Sequence, residues 1–253
     1  MQPVTFALSF LLVAALAQDP PTPPTPPAPS AKPAVAPAGA TLTGSVTFDG
    51  KRPEPRTLPA TAEQQHGCCP DGRTVNAIDP TLVIDEKLGI ANVLVTIEVP
   101  GAKLVVPETP FEVDQRSCVF EPHCLVVPAG AKVVFKNSDA VSHNVRIVAA
   151  KNDAANDVVV AGSKKEYTFA KAEKVRVGCD YHPWMSSLVM VVDTPFATLT
   201  KADGSFSIQG LPPGTYKVKL WHEVLGKAET EAIVKPDGTC AAVAVKMAEP
   251  KKK

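Results

Sequence analysis

Cys179-Asp180-Tyr181-His182-Pro183-Trp184-Met185 sets a thiolate, an imidazole and a thioether at three-residue intervals, and Ser142-His143-Asn144 adds a second imidazole 36 residues before Cys179. Two histidines and a cysteine in a trigonal plane, with a weak axial methionine, suit copper in both of its redox states. The protein then fixes a geometry between the preferences of the two ions, and little has to move when an electron arrives. A tight loop between two strands can wrap its Cys, His and Met around one point, while the other His must come from a neighbouring strand. Taken singly these residues are ordinary, since a lone His at a strand-loop junction or a lone Met usually serves packing. It is the joint spacing that makes His143, Cys179, His182 and Met185 a ligand set. Met190 is the rival for the axial place. It falls in the apolar run Leu188-Val189-Met190-Val191-Val192, which reads as a closing strand, so its side chain is assigned to the sandwich core.

The elements that must position these groups are strands. Helical periodicity is almost absent, while alternating Val, Ile, Thr and Phe segments recur between Gly, Pro, Asp and Asn, and the class is all-β. With 253 residues, 45% hydrophobic content and a formal charge of +0, the chain can bury one or two modest cores. Charge balance and scattered Lys and Arg argue against a nucleic-acid surface, and Lys251-Lys252-Lys253 reads as a solvated tail. No Ser-His-Asp signature, Gly-rich phosphate loop or HExxH stretch is present, so the chain is not expected to be an enzyme.

Phe120-Glu121-Pro122, then Leu125 through Asn137, then His143-Asn144-Val145 resemble the plastocyanin and pseudoazurin pattern of the cupredoxins. The ligand loop is similar to that of amicyanin at Cys179, His182, Pro183 and Met185, and departs from it at Asp180, Tyr181 and Trp184. The resemblance covers roughly residues 90 to 193. It implies a Greek-key β-sandwich and one type 1 copper ion held by His143, Cys179, His182 and Met185. It also implies that His182 is the ligand at the surface and that Asn137 ties the two ligand-bearing loops together. Pro183 lacks an N–H, which leaves Asn137 as the expected hydrogen-bond donor to the Cys179 sulfur. Pro183 and Trp184 are expected to form a small apolar docking patch for a redox partner.

Around this segment the chain divides by composition. Residues 1 to 17 resemble a secretory signal, with an apolar Phe6 to Leu16 run and Ala15-Leu16-Ala17 as the cleavage site, although no Lys or Arg precedes the run. A retained membrane anchor is the alternative. Cleavage after Ala17 would leave a periplasmic or secreted protein without a membrane span. Residues 18 to 40 are rich in Pro and favour extended polyproline II, a semi-rigid linker. Residues 41 to 89 form an N-terminal β segment, 90 to 193 the copper domain, 194 to 248 a smaller lobe and 249 to 253 a basic tail. In the smaller lobe Asp203-Gly204 permits a tight hairpin and Pro212-Pro213-Gly214 reverses the chain again. That lobe resembles the carboxypeptidase regulatory-like, or transthyretin-like, β-sandwich. Residues 42 to 50 look like its first strand, in which case residues 43 to 48 pair with a strand from 197 to 248 and the copper domain is an insertion.

With Cys179 assigned to copper, Cys68, Cys69, Cys118, Cys124 and Cys240 remain, an odd set that permits at most two bridges. Export allows disulfides, and one from Cys118 to Cys68 or Cys69 is expected. The competing reading is a second metal site from His66, Cys68, Cys69, Cys118, His123 and Cys124. Cys240 reads as a small buried hydrophobe and His222 as a structural residue. The function these features favour is single-electron transfer with a redox protein partner. Copper storage or delivery, and a structural or adhesive envelope role with incidental copper, are the alternatives.

Overall fold

A computed structural model of the chain describes residues 39–58, 67–69 and 78–250. The expected signal segment, nearly all of the Pro-rich linker, His66 and Lys251-Lys252-Lys253 lie outside the described residues. Sixteen strands account for nearly all of the regular structure described, as the alternating sequence requires. None of the described helices is long and apolar enough to cross a membrane.

The chain builds one lobe in two visits. It begins with β1 (Ala40–Phe48) and β2 (Leu94–Ile97). Nine strands of a second unit follow: β3 (Phe111–Arg116), β4 (Val119–Glu121), β5 (Cys124–Pro128), β6 (Ala131–Asn137), β7 (His143–Val148), β8 (Ala155–Val159), β9 (Lys164–Phe169), β10 (Glu173–Gly178) and β11 (Ser186–Val192). The first lobe is then completed by β12 (Ala197–Leu199), β13 (Ser205–Leu211), β14 (Gly214–His222), β15 (Gly226–Val234) and β16 (Val243–Met247).

In the outer lobe β1 sits between β13 and β16, antiparallel to the first and parallel to the second, so Gly44 and Ser45 pair on both sides. The facing sheet has the order β12-β2-β14-β15. Leu42, Val46, Ile90, Val95, Ile97, Leu211 and Val218, all fully buried, fill the space between the two sheets. A lobe of about 55 residues would bury only a marginal core, and the earlier strands β1 and β2 supply much of what it lacks. Two sequence expectations are corrected here. β1 starts at Ala40, which composition assigned to the linker, because Ala40 pairs with Leu211. Leu94–Ile97, placed in the copper domain by resemblance, is held in the outer lobe by its ladders to β12 and β14. Asp203-Gly204 does close a tight turn, with Lys201 N–H donating to Ser205 O and Gly204 N–H to Lys201 O at 2.9 Å each, and Pro212-Pro213-Gly214 reverses the chain; at both places the flanking strands go on to different sheets. Gly204 is required at its corner: its φ is +75°, and a Cβ there would lie 2.3 Å from the Val46 carbonyl oxygen.

The inserted unit leaves after Ile97 and returns before Ala197, and the two crossing points are tied together. Ile97 N–H donates to Phe196 O at 2.9 Å, and Thr194 Oγ1 donates to Ile97 O at 2.6 Å. Its nine strands make two sheets, β5-β11-β10-β7-β8 and β4-β3-β6-β9, around Val113, Val127, Val133, Phe135, Val145, Val175 and Val189. β11 is apolar on both faces for a physical reason. Val189 and Val191 enter this core, while Leu188, Met190 and Val192 face the outer lobe in a separate cluster with Leu94 and Cys124. Met190 therefore packs the joint between lobes, not the sandwich core to which its apolar run assigned it.

Candidate metal centre

The end of the sandwich where β7 begins and β10 gives way to β11 carries the chemistry. His143 is the first residue of β7, and its pairing with Val159 holds its backbone in the sheet. Cys179 directly follows β10, and the turn from it to β11 is closed by Met185 N–H donating to His182 O at 2.9 Å. Nδ1 of His143 and Nδ1 of His182 lie 3.0 Å apart, and they stand 4.0 and 3.8 Å from Cys179 Sγ. Met185 is 1% exposed and belongs to the same core cluster as Cys179. His143 is fully buried, whereas His182 is half-buried and is the more exposed of the two imidazoles.

Asp139 organises the side of the site behind His143. Its side chain is wholly buried, and its Oδ2 lies 2.9 Å from His143 Nε2. A carboxylate accepts, so Nε2 carries the proton and Nδ1 presents its lone pair toward Cys179. The same carboxylate accepts the N–H groups of Ser117 at 2.6 Å and Cys118 at 2.8 Å. These two residues have φ of 52° and 50°, a left-handed turn that non-glycine residues seldom adopt unless such bonds hold it. Cys118 is joined to Cys68, with Cα atoms 5.6 Å apart. The bridge lies against the site: Cys118 Sγ is 3.9 Å from His143 Nε2, and Trp184 Nε1–H donates to Cys118 O at 3.0 Å.

Asn144 joins the segments that carry His143 and Cys179. Its backbone N–H points to Cys179 Sγ at 3.5 Å, its Oδ1 accepts from Asp180 N at 2.6 Å, and its Nδ2 donates to Asn156 Oδ1 and to Asp180 Oδ2. Burial opposes ionisation of the Cys179 thiol. The nearby imidazoles of His143 and His182 and the backbone N–H groups of Asn144 and His182 outweigh it and bring its pKa down to about 6. Burial also disfavours a charged His143, but Asp139 and the Cys179 sulfur overcome that and raise its pKa.

Several sequence expectations change. Asn137 does not reach the Cys179 sulfur: its Nδ2 donates to Val141 O and Val159 O, and its Oδ1 accepts from Asp139 N. It braces the loop before His143 against β8, and the tie between the ligand loops falls to Asn144. Trp184 is buried and packs edge-on to His182 at 5.2 Å, so it cannot form a docking patch, and Tyr181 and Pro183 are the exposed residues there. The six-residue second metal cluster is divided. Cys68 and Cys118 are spent on the disulfide, while His123 and Cys124 meet Glu223 at the joint between lobes. Cys240 is only half-buried. Asp139 and Asn144 were missed as site residues, although Asp139 stands four positions before His143 in a Ser-Asp turn and Asn144 directly follows it.

The donor set fits copper. Two imidazole nitrogens and a thiol disposed to ionise lie within 4.8 Å of one another, and burial shields them from competing water. No curated protein matches the chain. Among solved structures, the chain is similar to a proline-to-glycine variant of amicyanin in its reduced Cu(I) form. That pair shares 28% identity over 39% of this chain and 98% of the other, with a TM-score of 0.32. It is similar to a purple cupredoxin from Nitrosopumilus maritimus at 22% identity, over 32% of this chain and 98% of the other, with a TM-score of 0.29. A Cu-containing nitrite reductase from Thermus scotoductus SA-01 is similar at 23% identity and a TM-score of 0.32, over 38% of this chain; the chain spans only 25% of the reductase. Residues 107–192 match the family described as copper binding proteins, plastocyanin/azurin family. That stretch contains His143, Cys179, His182 and Met185 together with nearly all of the inserted sandwich, which is thus a copper-binding cupredoxin domain of the plastocyanin/azurin family.

Proposed function

We propose that this chain is an exported type 1 copper protein that passes single electrons between redox protein partners, with His143, Cys179, His182 and Met185 as the ligands. The observation that carries the reading is the convergence of His143 Nδ1, Cys179 Sγ and His182 Nδ1 within 3.0 to 4.0 Å of one another beside a buried Met185. Copper bound there supplies a one-electron couple and, with a thiolate, intense visible colour. The chain's part is to hold its donors still. Asp139 fixes the His143 tautomer, the Asn144 N–H withdraws electron density from the Cys179 sulfur, and Trp184 with the Cys68–Cys118 bridge packs around the imidazoles. His182, half-exposed between exposed Tyr181 and Pro183, marks the edge at which a partner would meet the site. A small interface of this kind favours rapid release.

The outer lobe, two facing sheets completed by β1 and β2, is proposed as the carboxypeptidase regulatory-like module, a stabilising element and not a catalyst. Export rests on the signal-like residues 1 to 17 and on a disulfide placed against the site. Copper titration with visible spectroscopy and anaerobic voltammetry tests the electron-transfer reading. One tightly bound ion, an intense colour and a reversible couple are expected. Loose binding without a reversible couple would turn the assignment to copper storage or delivery.

A further inference from the structure

A second group of donors lies away from the copper domain's ligand loop, where the two lobes meet. His123 precedes β5, Cys124 is its first residue, and Glu223 belongs to the loop between β14 and β15 of the outer lobe. An imidazole nitrogen, the Cys124 sulfur and a Glu223 oxygen all lie within 4.8 Å of one another. The surroundings are otherwise apolar, with Leu94, Leu188, Met190 and Val192 forming the cluster that includes Cys124. We propose that His123, Cys124 and Glu223 form a second metal site, one that takes a divalent ion tolerant of mixed nitrogen, sulfur and oxygen donors, such as zinc, across the joint between lobes.

The orientation of each donor supports this. His123 Nδ1 lies 2.9 Å from Ser186 O, a carbonyl that can only accept, so Nδ1 carries the proton and Nε2 is the coordinating nitrogen. That pattern, one ring nitrogen donating to a backbone carbonyl and the other left for the ion, is how metal-bound histidines are held. Nε2 faces Glu223 Oε1 at 2.5 Å. Glu223 sits on a loop that cannot drift, because the N–H groups of Val224 and Leu225 both donate to Nδ1 of the fully buried His222. Shelter is graded: the side chain of His123 is 7% exposed and that of Glu223 is 19%, which leaves an entry on the Glu223 side. A thiolate and a carboxylate carry two negative charges and with a neutral imidazole balance a divalent ion, and binding would release the protons of Cys124 and His123 to solvent. Ser186 follows Met185 directly, so an ion here would brace the exit of the ligand loop from the outer lobe.

Cobalt(II) titration of the full chain carrying Cys179→Ser tests the site, since that background removes the thiolate of the copper centre. One equivalent of cobalt with a thiolate-to-metal absorption band is expected. The band should vanish in Cys179→Ser with Cys124→Ser, and Glu223→Gln should weaken binding by at least about tenfold. His123→Gln, which leaves the thiol in place, should also abolish the band and serves as the second variant where Cys124→Ser fails to fold. Absence of a thiolate band at stoichiometric cobalt would reduce the cluster to an ion pair beside a thiol and overturn the proposal. So would a band that survives Cys124→Ser, which would move the thiolate to another cysteine.

Discussion

The two imidazole–thiol clusters of this protein are buried to a similar degree and treat their sulfur in opposite ways. Burial pushes both thiols toward the neutral form, yet the pKa of Cys179 falls to about 6 while that of Cys124 rises above its ordinary value. The difference is the number and sign of the partners. Cys179 is flanked by two imidazoles and two backbone N–H groups, and the carboxylate nearby, Asp139, stands behind His143 where it orients the ring. Cys124 has His123 alone, and the charge of Glu223 beside it opposes a thiolate. A carboxylate behind a histidine orients it as a ligand; a carboxylate in front of one pairs with it while no metal ion stands between them.

Cys179→Ser against Cys124→Ser is the sharpest way to break that comparison. Visible spectroscopy and metal analysis should show the first variant colourless with copper affinity lost, and the second with its colour intact. A colourless native protein holding stoichiometric copper would remove the type 1 reading altogether.

The captured histidine should next show itself in stability. Burial opposes a charged His123, but hydrogen bonds to Cys124 and Glu223 outweigh it and raise its pKa to about 10, against about 6.5 for a free histidine. A group with a raised folded-state pKa stabilises fully below its unfolded value. The contribution of the pair is thus complete below about pH 6.5 and is lost as pH climbs toward 10. Glu223→Gln leaves the imidazolium without its counter-charge and should cost on the order of 3 kcal/mol below about pH 6.5. Denaturant melts across pH check both points, and an alkaline decline that persists unchanged in the variant would detach it from this pair.

Asp139→Asn probes the carboxylate on the copper side. Loss of the charge behind His143 should weaken copper binding by about 10- to 100-fold and raise the reduction potential. Competition titration and voltammetry read the two effects, and an unchanged affinity would make Asp139 merely a brace for the Ser117-Cys118 turn.

The smallest effects belong to the methionines. Met185→Leu should retain copper and raise the potential, because removing a weak axial thioether disfavours Cu(II) more than Cu(I). Met190→Leu should leave the potential alone and change stability by less than about 1.5 kcal/mol, as a volume-conserving swap in the joint between lobes. The reverse ranking in voltammetry would transfer the axial role to Met190.

Much of the all-β class and the identity of the His143, Cys179 and His182 cluster was legible from the chain alone. Strand alternation has a period of two, and the ligand loop keeps Cys179, His182 and Met185 within one turn, so both signals are local. Met190 shows the limit of that legibility. An apolar run such as Leu188 to Val192 reveals a strand buried on both faces, but not that one face is covered by a second lobe.

What only the tertiary structure decided are contacts between residues far apart in the chain. The meeting of His123 with Glu223 spans 100 positions, and the donation of Trp184 to Cys118 spans 66. Asn137 and Asn144 are the same residue type seven positions apart. Which of them served the sulfur depended on β7 pairing with β8 and β10, a registry that brings the Asn144 N–H, and not the Asn137 amide, to Cys179. Residue type and spacing determine which atoms can donate; the folded sheets determine which donors arrive at the same point, because a hydrogen bond is lost over a few tenths of an ångström.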